Sequence, residues 1–260
     1  MLIEGIRFEN NQVVFDFTSD KPDDIIPLKL QKYNTKFVSM NKIPTYYAYR
    51  VNSQYKGAIQ TDPRITAIRD AIKNVTINPT DYVKLITKAL INFDLNVDSL
   101  SSYSLIALPK STSPLLKQVV ESISNKYGTT VEIIDDAFLK NKIEDITVHP
   151  EIIQQVRDKH GDKVAQKTEK RYHALIAAAK VDGEFKMKKI PTEYGYRRGI
   201  TNFLQINDKK QDTIFRLVNG QKVLLMDDIV TSGTTMVEMK RLFDNLGASQ
   251  INLFCILGLK

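Results

Sequence analysis

The chain has few of the residues that would staple a fold or hold a metal in it. Its 260 residues include one cysteine, Cys255, so an intramolecular disulfide is excluded. Cys255 lies in the apolar run "INLFCILGL" and reads as a small buried hydrophobe, which fits a reducing compartment. The three histidines, His149, His160 and His173, show no zinc-ligand spacing with it, so neither a structural nor a catalytic zinc is expected. No apolar stretch reaches the length needed to cross a bilayer, and no membrane partner is expected. The opening "MLIEGIRFENNQVVFDF" alternates acidic and apolar residues, unlike a secretory signal, so a cytoplasmic location is expected. Internal repeats and low-complexity tracts are also lacking.

What is present is an ordinary globular balance, 42% hydrophobic and 26% charged. The length allows one large domain or a core domain with a smaller appendage. The net charge of +7 favours anionic ligands: nucleotides, phosphates or nucleic acid.

Residues 1–60 read as strands, with "IRFEN-NQVVFDF" a hairpin about Asn10 and Asn11. The runs "FVSM", "TYYAYRV" and "YKGAIQ" continue that character. Asp62 and Pro63 then open a helix striped by Ile65, Ile68 and Ile72, and "NPTDYVKLITKALINF" predicts a second. This gives a β-rich N-terminal region with helices over 1–95 and a core over 96–260. In the core, "YSLIAL" is a strand buried on both faces and "PKSTS" a loop. "PLLKQVVESISNKYG" is a helix capped by Ser113 and Gly128, and "TVEII" is the next strand. Residues 135–180 read as mostly helical. The stretch from Lys180 to Lys222 reads as too polar for core, at most hairpins or a loop. "GQKVLLMDD" returns to strand, Thr235 to Leu246 is an amphipathic helix closed by Gly247, and "QINLFCIL" is a last strand.

The chemistry concentrates in "VLLMDDIVTSGTT", residues 223–235. An apolar strand runs into Asp227 and Asp228, whose like charges need a donor such as the vicinal hydroxyls of a ribose, or a magnesium ion. Backbone N–H groups about Gly233, the hydroxyls of Thr231, Ser232, Thr234 and Thr235, and the helix N-terminus together suit a phosphate monoester. Diol on one side and phosphate on the other describe a ribose 5-phosphate.

This stretch resembles the phosphoribosyl pyrophosphate (PRPP) signature of the type I phosphoribosyltransferases. The resemblance implies an α/β fold: a type I phosphoribosyltransferase-like core on a mainly parallel sheet. Asp227 and Asp228 would meet the ribose hydroxyls, Thr231 to Thr235 the 5-phosphate, and Mg2+ the two acids indirectly. "LIALPKSTSPL" sits where the family places its pyrophosphate loop, which implies Lys110 with the N–H groups of Ser111, Thr112 and Ser113. The basic segment "EFKMKKIPTEYGYRRG" is placed for the family's mobile loop, with Lys188, Lys189, Arg197 and Arg198 as candidates. Lys110 and Arg198 are the catalytic cations on this reading. The insert 135–222 would supply the variable hood over the acceptor. The segment "FRLVNGQKVLLMDDIVTSGTT" also faintly resembles competence-associated ComF-type members. The signature differs from that of PRPP synthetases, and no ATP-site sequence accompanies it.

The implied activity is displacement of pyrophosphate from C1 of PRPP by a nitrogenous acceptor. The competing reading is a PRPP or nucleotide sensor that controls binding to nucleic acid or a protein partner. Nucleic acid and a second copy of the chain, as a homodimer, are the further partners considered.

Overall fold

The computed structural model describes residues 102–109, 114–127, 131–183, 185, 199–230 and 233–258, and the backbone of 5–9, 12–16, 25–27, 31–36 and 42–50. The second strand and helix readings of the N-terminal region ("FVSM", "YKGAIQ", the helices at 62–75 and 78–93) lie outside these residues, as do Ser113 and Gly128.

Five strands lie in the first fifty residues: β1 (Gly5–Glu9), β2 (Gln12–Asp16), β3 (Ile25–Pro27), β4 (Gln31–Lys36) and β5 (Lys42–Arg50). Strands β1 and β2 pair antiparallel with Glu9 opposite Gln12, the hairpin expected about Asn10 and Asn11. Strand β3 adds to β1.

The core sheet gathers β6 (Leu105–Pro109), β7 (Glu132–Lys140), β10 (Leu204–Ile206), β11 (Lys222–Val230) and β12 (Gln250–Gly258). With β4 and β5 its order is β10-β7-β6-β11-β12-β5-β4. From β7 to β5 every neighbour pair is parallel; β10 and β4 close the edges antiparallel. The mainly parallel α/β sheet expected from the signature is therefore present. Leu105 to Leu108 and Val223 to Met226 are all buried, because such strands are covered on both faces and every side chain meets apolar neighbours.

Helix α1 (Pro114–Tyr127) connects β6 to β7, and α5 (Thr234–Asn245) connects β11 to β12. Between β7 and β11 lie α2 (Pro150–His160), α3 (Asp162–Asp182), the short antiparallel pair of β8 (Thr147–Val148) with β9 (Ile200–Thr201), and α4 (Gln211–Val218). Pro150 opens α2 at the position where a missing N–H costs nothing. Gly161, at φ 83°, turns the chain straight into α3, and Arg157 reaches Asp162 across that turn at 2.9 Å.

Two expectations need correction. Residues 135–140 are not helical: β7 continues to Lys140, and its pairing with β6 slips between Ala107 and Pro109, which admits extra residues at Asp135 and Asp136. The stretch from 180 to 222 is not wholly outside the core. Ile200, Phe203, Leu204, Ile214 and Val218 are buried in it, carried by β9, β10 and one face of α4. Sparse apolar residues in a polar stretch suffice when each falls on the inward side of a short element. Among the described residues no helix is long and apolar enough to cross a membrane.

Candidate functional site

The topology itself opens a crevice. From β6 the chain moves through α1 to β7 on one side; from β11 it moves through α5 to β12 on the other. Right-handed crossovers in opposite directions put the two helices on opposite faces of the sheet. The side chains agree. Met236, Met239 and Phe243 of α5 share a core with Ala107, Leu225 and Cys255. Val120 of α1 instead lines a cavity with Leu108 and Ile133. Between β6 and β11, at the carboxyl ends of the strands, lies the switch point at which open α/β sheets receive ligands.

The strands also separate there. Among the described residues β6 pairs with β11 only as far as Ala107 and Leu225, and Pro109 has no N–H to continue the ladder. Strand β11 runs on beside β12 to Val230 and Gly258. Asp227 and Asp228 thus stand on a strand that keeps its partner on one side after leaving it on the other. Alternation along that strand sends them to opposite faces: Asp227 with Val223 and Leu225 toward α5, Asp228 with Leu224 and Met226 toward α1. Asp228 is buried and Asp227 half-buried, and the Asp227 carboxylate accepts the Asp228 N–H at 2.9 Å.

Gly233 caps α5 with φ 75° and ψ 6°, a left-handed conformation that glycine adopts without cost. Its carbonyl accepts the Val237 N–H at 2.9 Å, so the helix begins at once. Thr234 is buried and Thr235 half-buried at the first two helical positions, whose N–H groups have no partner within the helix. No acidic residue occupies that first turn, so the positive end of the helix dipole is not neutralised from within it.

The structure therefore brings Asp227, Asp228, Gly233, Thr234 and Thr235 to one strand end and the helix that follows it. Thr231, Ser232, the loop Lys110, Ser111, Thr112 and Ser113, and the basic candidates Lys188, Lys189, Arg197 and Arg198 lie outside the described residues. The described residues that flank the first loop are Pro109, which ends the strand beside β11, and Pro114, which opens α1.

Residues 197–258 match the phosphoribosyl transferase domain. The matched domain is of the family that the signature resembles. Among curated proteins no match to the chain was detected. The phosphoribosyl transferase domain match takes in β9, β10, α4, β11, α5 and β12, including residues 197–222 of the stretch that reads as too polar for core. It supports phosphoribosyl transfer in general and a substrate of the PRPP type.

Three features of the domain's surroundings were not read from the sequence. Gly199, at the start of the domain match, packs against Tyr172 of α3 so closely that a Cβ there would lie 2.3 Å from the Tyr172 hydroxyl oxygen. The Gly199 carbonyl also accepts the His149 N–H at 2.8 Å, tying it to the start of α2. Asn207 is buried and donates to the Asp136 carbonyl and carboxylate at 3.1 Å each, while Lys210 pairs with the same carboxylate. These bonds tie the slipped segment of β7 to the β10–α4 corner. Finally, a cavity of about 470 Å³ lies between α1 and β7, with the Lys117–Asp135 pair at 3.3 Å among its lining. It is on the Asp228 side of the sheet. None of these contacts has a local sequence signal, because each joins residues far apart in the chain.

Proposed function

We propose that the chain transfers the 5-phosphoribosyl group of PRPP to a nitrogenous acceptor. The acceptor nitrogen donates its lone pair to C1 as the C1–O bond to pyrophosphate breaks, and pyrophosphate leaves with the bonding pair. The observation that carries this reading is the acid pair at the β6–β11 switch point, followed directly by a glycine-capped helix start. A ligand seated over the end of β11 straddles the sheet, so carboxylates on its two faces can each take one hydroxyl of a vicinal diol. Gly233 and the N–H groups at Thr234 and Thr235, with the hydroxyls of Thr231 and Ser232, suit the 5-phosphate.

Magnesium fits as an ion that arrives with the diphosphate rather than as a resident metal. Among the described residues no group of three or more His, Cys, Asp or Glu side chains converges on one point. One or two carboxylates plus substrate phosphate oxygens is the donor set magnesium accepts, and Asp227 and Asp228 would supply the protein's share. The ion would neutralise charge developing on the leaving group. Lys110, with the N–H groups of Ser111 to Ser113, would do the same from the neighbouring loop, and Arg198 from the basic segment. Exclusion of water matters because water competes with the acceptor at C1.

The test is a pair of measurements. Calorimetric titration of PRPP with Mg2+ is expected to show binding to the wild type and none to Asp227→Asn/Asp228→Asn, with circular dichroism unchanged. Release of pyrophosphate is then followed over purines, pyrimidines and amines. Undiminished PRPP affinity in the double variant would refute the site. PRPP binding without pyrophosphate release from any acceptor would refute the transferase and favour the sensor.

A further inference from the structure

Helix α3 carries the longest exposed face among the described helices, and that face is basic. Lys163, Lys167, Lys170 and Arg171 are all exposed, and among the described residues none of the four has an ion-pair partner. The neighbouring acid Asp162 is already held by Arg157 at 2.9 Å. Lys163, Lys167 and Arg171 follow at i, i+4 and i+8, so they stand in a row, about 6 Å apart along the axis. The row continues over Ala174, Ala177 and Ala178, all exposed and small, to the exposed Val181. The inward side of the helix is spent on packing: Ala165, Tyr172, Ile176 and Ala179 are buried.

We propose that this face of α3 docks the phosphate backbone of a nucleic-acid duplex. A row of exposed cations on a rigid helix is complementary to a stiff, regularly spaced polyanion, and each phosphate neutralised releases condensed counterions. The small residues beyond the row let such a rod lie along the helix without obstruction. Two alternatives fit the face less well. An anionic membrane calls for several large apolar or aromatic side chains beside the charges, and besides its alanines the exposed face offers one, Val181. An unpaired strand calls for exposed aromatic rings on which bases stack, and the aromatic ring of α3's middle turn, Tyr172, is buried. Contacts of this kind position a duplex without reading its sequence. The proposal uses no residue of the PRPP site, so either reading can fail without the other.

The test is fluorescence anisotropy with the full chain and labelled mixed-sequence duplexes of about 20 base pairs, DNA and RNA in separate arms. Salt is varied from about 50 to about 200 mM. Lys163→Glu/Lys167→Glu/Arg171→Glu is compared with Lys142→Glu/Lys209→Glu/Arg216→Glu, which makes the same charge change at exposed positions elsewhere. The α3 variant is expected to lose at least tenfold in affinity, and its log–log salt slope to become shallower by about 3. The control variant is expected to change less than twofold. Should the charge reversal unfold the chain, Lys163→Gln/Lys167→Gln/Arg171→Gln gives the same comparison with milder changes. Equal losses in both variants, an unchanged slope, or no wild-type binding at the lowest salt would each overturn the proposal. Tighter binding of single strands or anionic vesicles through the same residues would overturn the choice of a duplex.

Discussion

Cys255 lies directly across the β11–β12 ladder from Asp227, so the only thiol of the chain is buried beside the candidate ribose-binding acids. Burial, then the charges of Asp227 and Asp228, push the thiol well above its ordinary value, against a smaller opposite pull from the Asp227 backbone. An unfolded cysteine titrates near about pH 8.5. Above that pH the unfolded chain releases a proton that the folded chain retains, so stability is full below it and falls as pH rises. The melting temperature of the wild type is expected to drop more steeply than that of Cys255→Ala from about pH 8.5 upward. Native protein should also resist iodoacetamide until it unfolds. Parallel melting curves for the two proteins would remove this account.

Gly199 has no room for a side chain. An added Cβ would meet the Tyr172 hydroxyl oxygen and ring carbons at 2.3 to 2.5 Å, and Tyr172 is buried, so the ring cannot swing aside freely. Gly199→Ala is expected to cost about 1–3 kcal/mol, the usual range for overpacking. Tyr172→Phe in the same chain should recover part of it by removing the nearest atom. Urea denaturation midpoints measure both; an unaltered midpoint for the single variant contradicts the contact.

Arg241 holds a buried carboxylate. Its Nε and Nη2 donate to the two oxygens of Glu238 at 3.0 and 2.8 Å, and that hydrogen bonding raises the guanidinium above its ordinary value. Arg241→Met would leave Glu238 charged and buried one turn from Thr234. The expected loss is about 2 kcal/mol, below the range for fully buried pairs because Arg241 is partly in solvent. Adding Glu238→Gln should restore more than half. If the double variant is no better than the single one, the pair is not what matters there.

On the proposed reading, Gly233 is the residue on which the phosphate side of the site depends most. Its φ of 75° costs any other residue about 1–2 kcal/mol. Gly233→Ala is expected to lower stability by about that amount and PRPP affinity by a larger factor, since the turn also aims the first N–H groups of α5. Calorimetry beside a thermal melt separates the two effects. A variant that loses stability and keeps its affinity would show that the turn is structural alone.

The legible parts of this chain were those in which local pattern and tertiary role coincide. Strand β6 and residues 223–226 of β11 are uninterrupted apolar runs, and the glycine at 247, with φ 83°, ends α5 where its backbone must turn. The length of β7 was misread because Asp135 and Asp136 look like a strand end. They fall at a slip in the ladder, and Asn207 and Lys210, from a distant corner, partner Asp136. Burial of Ile214 and Val218 was missed for a related reason: an eight-residue helix needs only one apolar stripe, which composition averages away. The opposite directions of Asp227 and Asp228 follow from strand alternation alone. They went unread because the strand was ended at Asp228, whereas β11 extends two residues further, to Val230.

The pairing of β5 with β12 sets the order in which this protein can be completed. Thr45 to Arg50 are made roughly 200 residues before Leu253 to Gly258, with which they pair. At about 5–20 residues per second, roughly 200 residues of synthesis put about 10–40 s between the two strands. Throughout that interval the edge of β5 that later meets β12 waits for its neighbour. A ribosome stalled just before β12 would hold a chain whose sheet lacks the strand that joins its two halves. Such a nascent chain is expected to be cleaved readily by protease, and emergence of the nine-residue β12 to bring resistance in a single step.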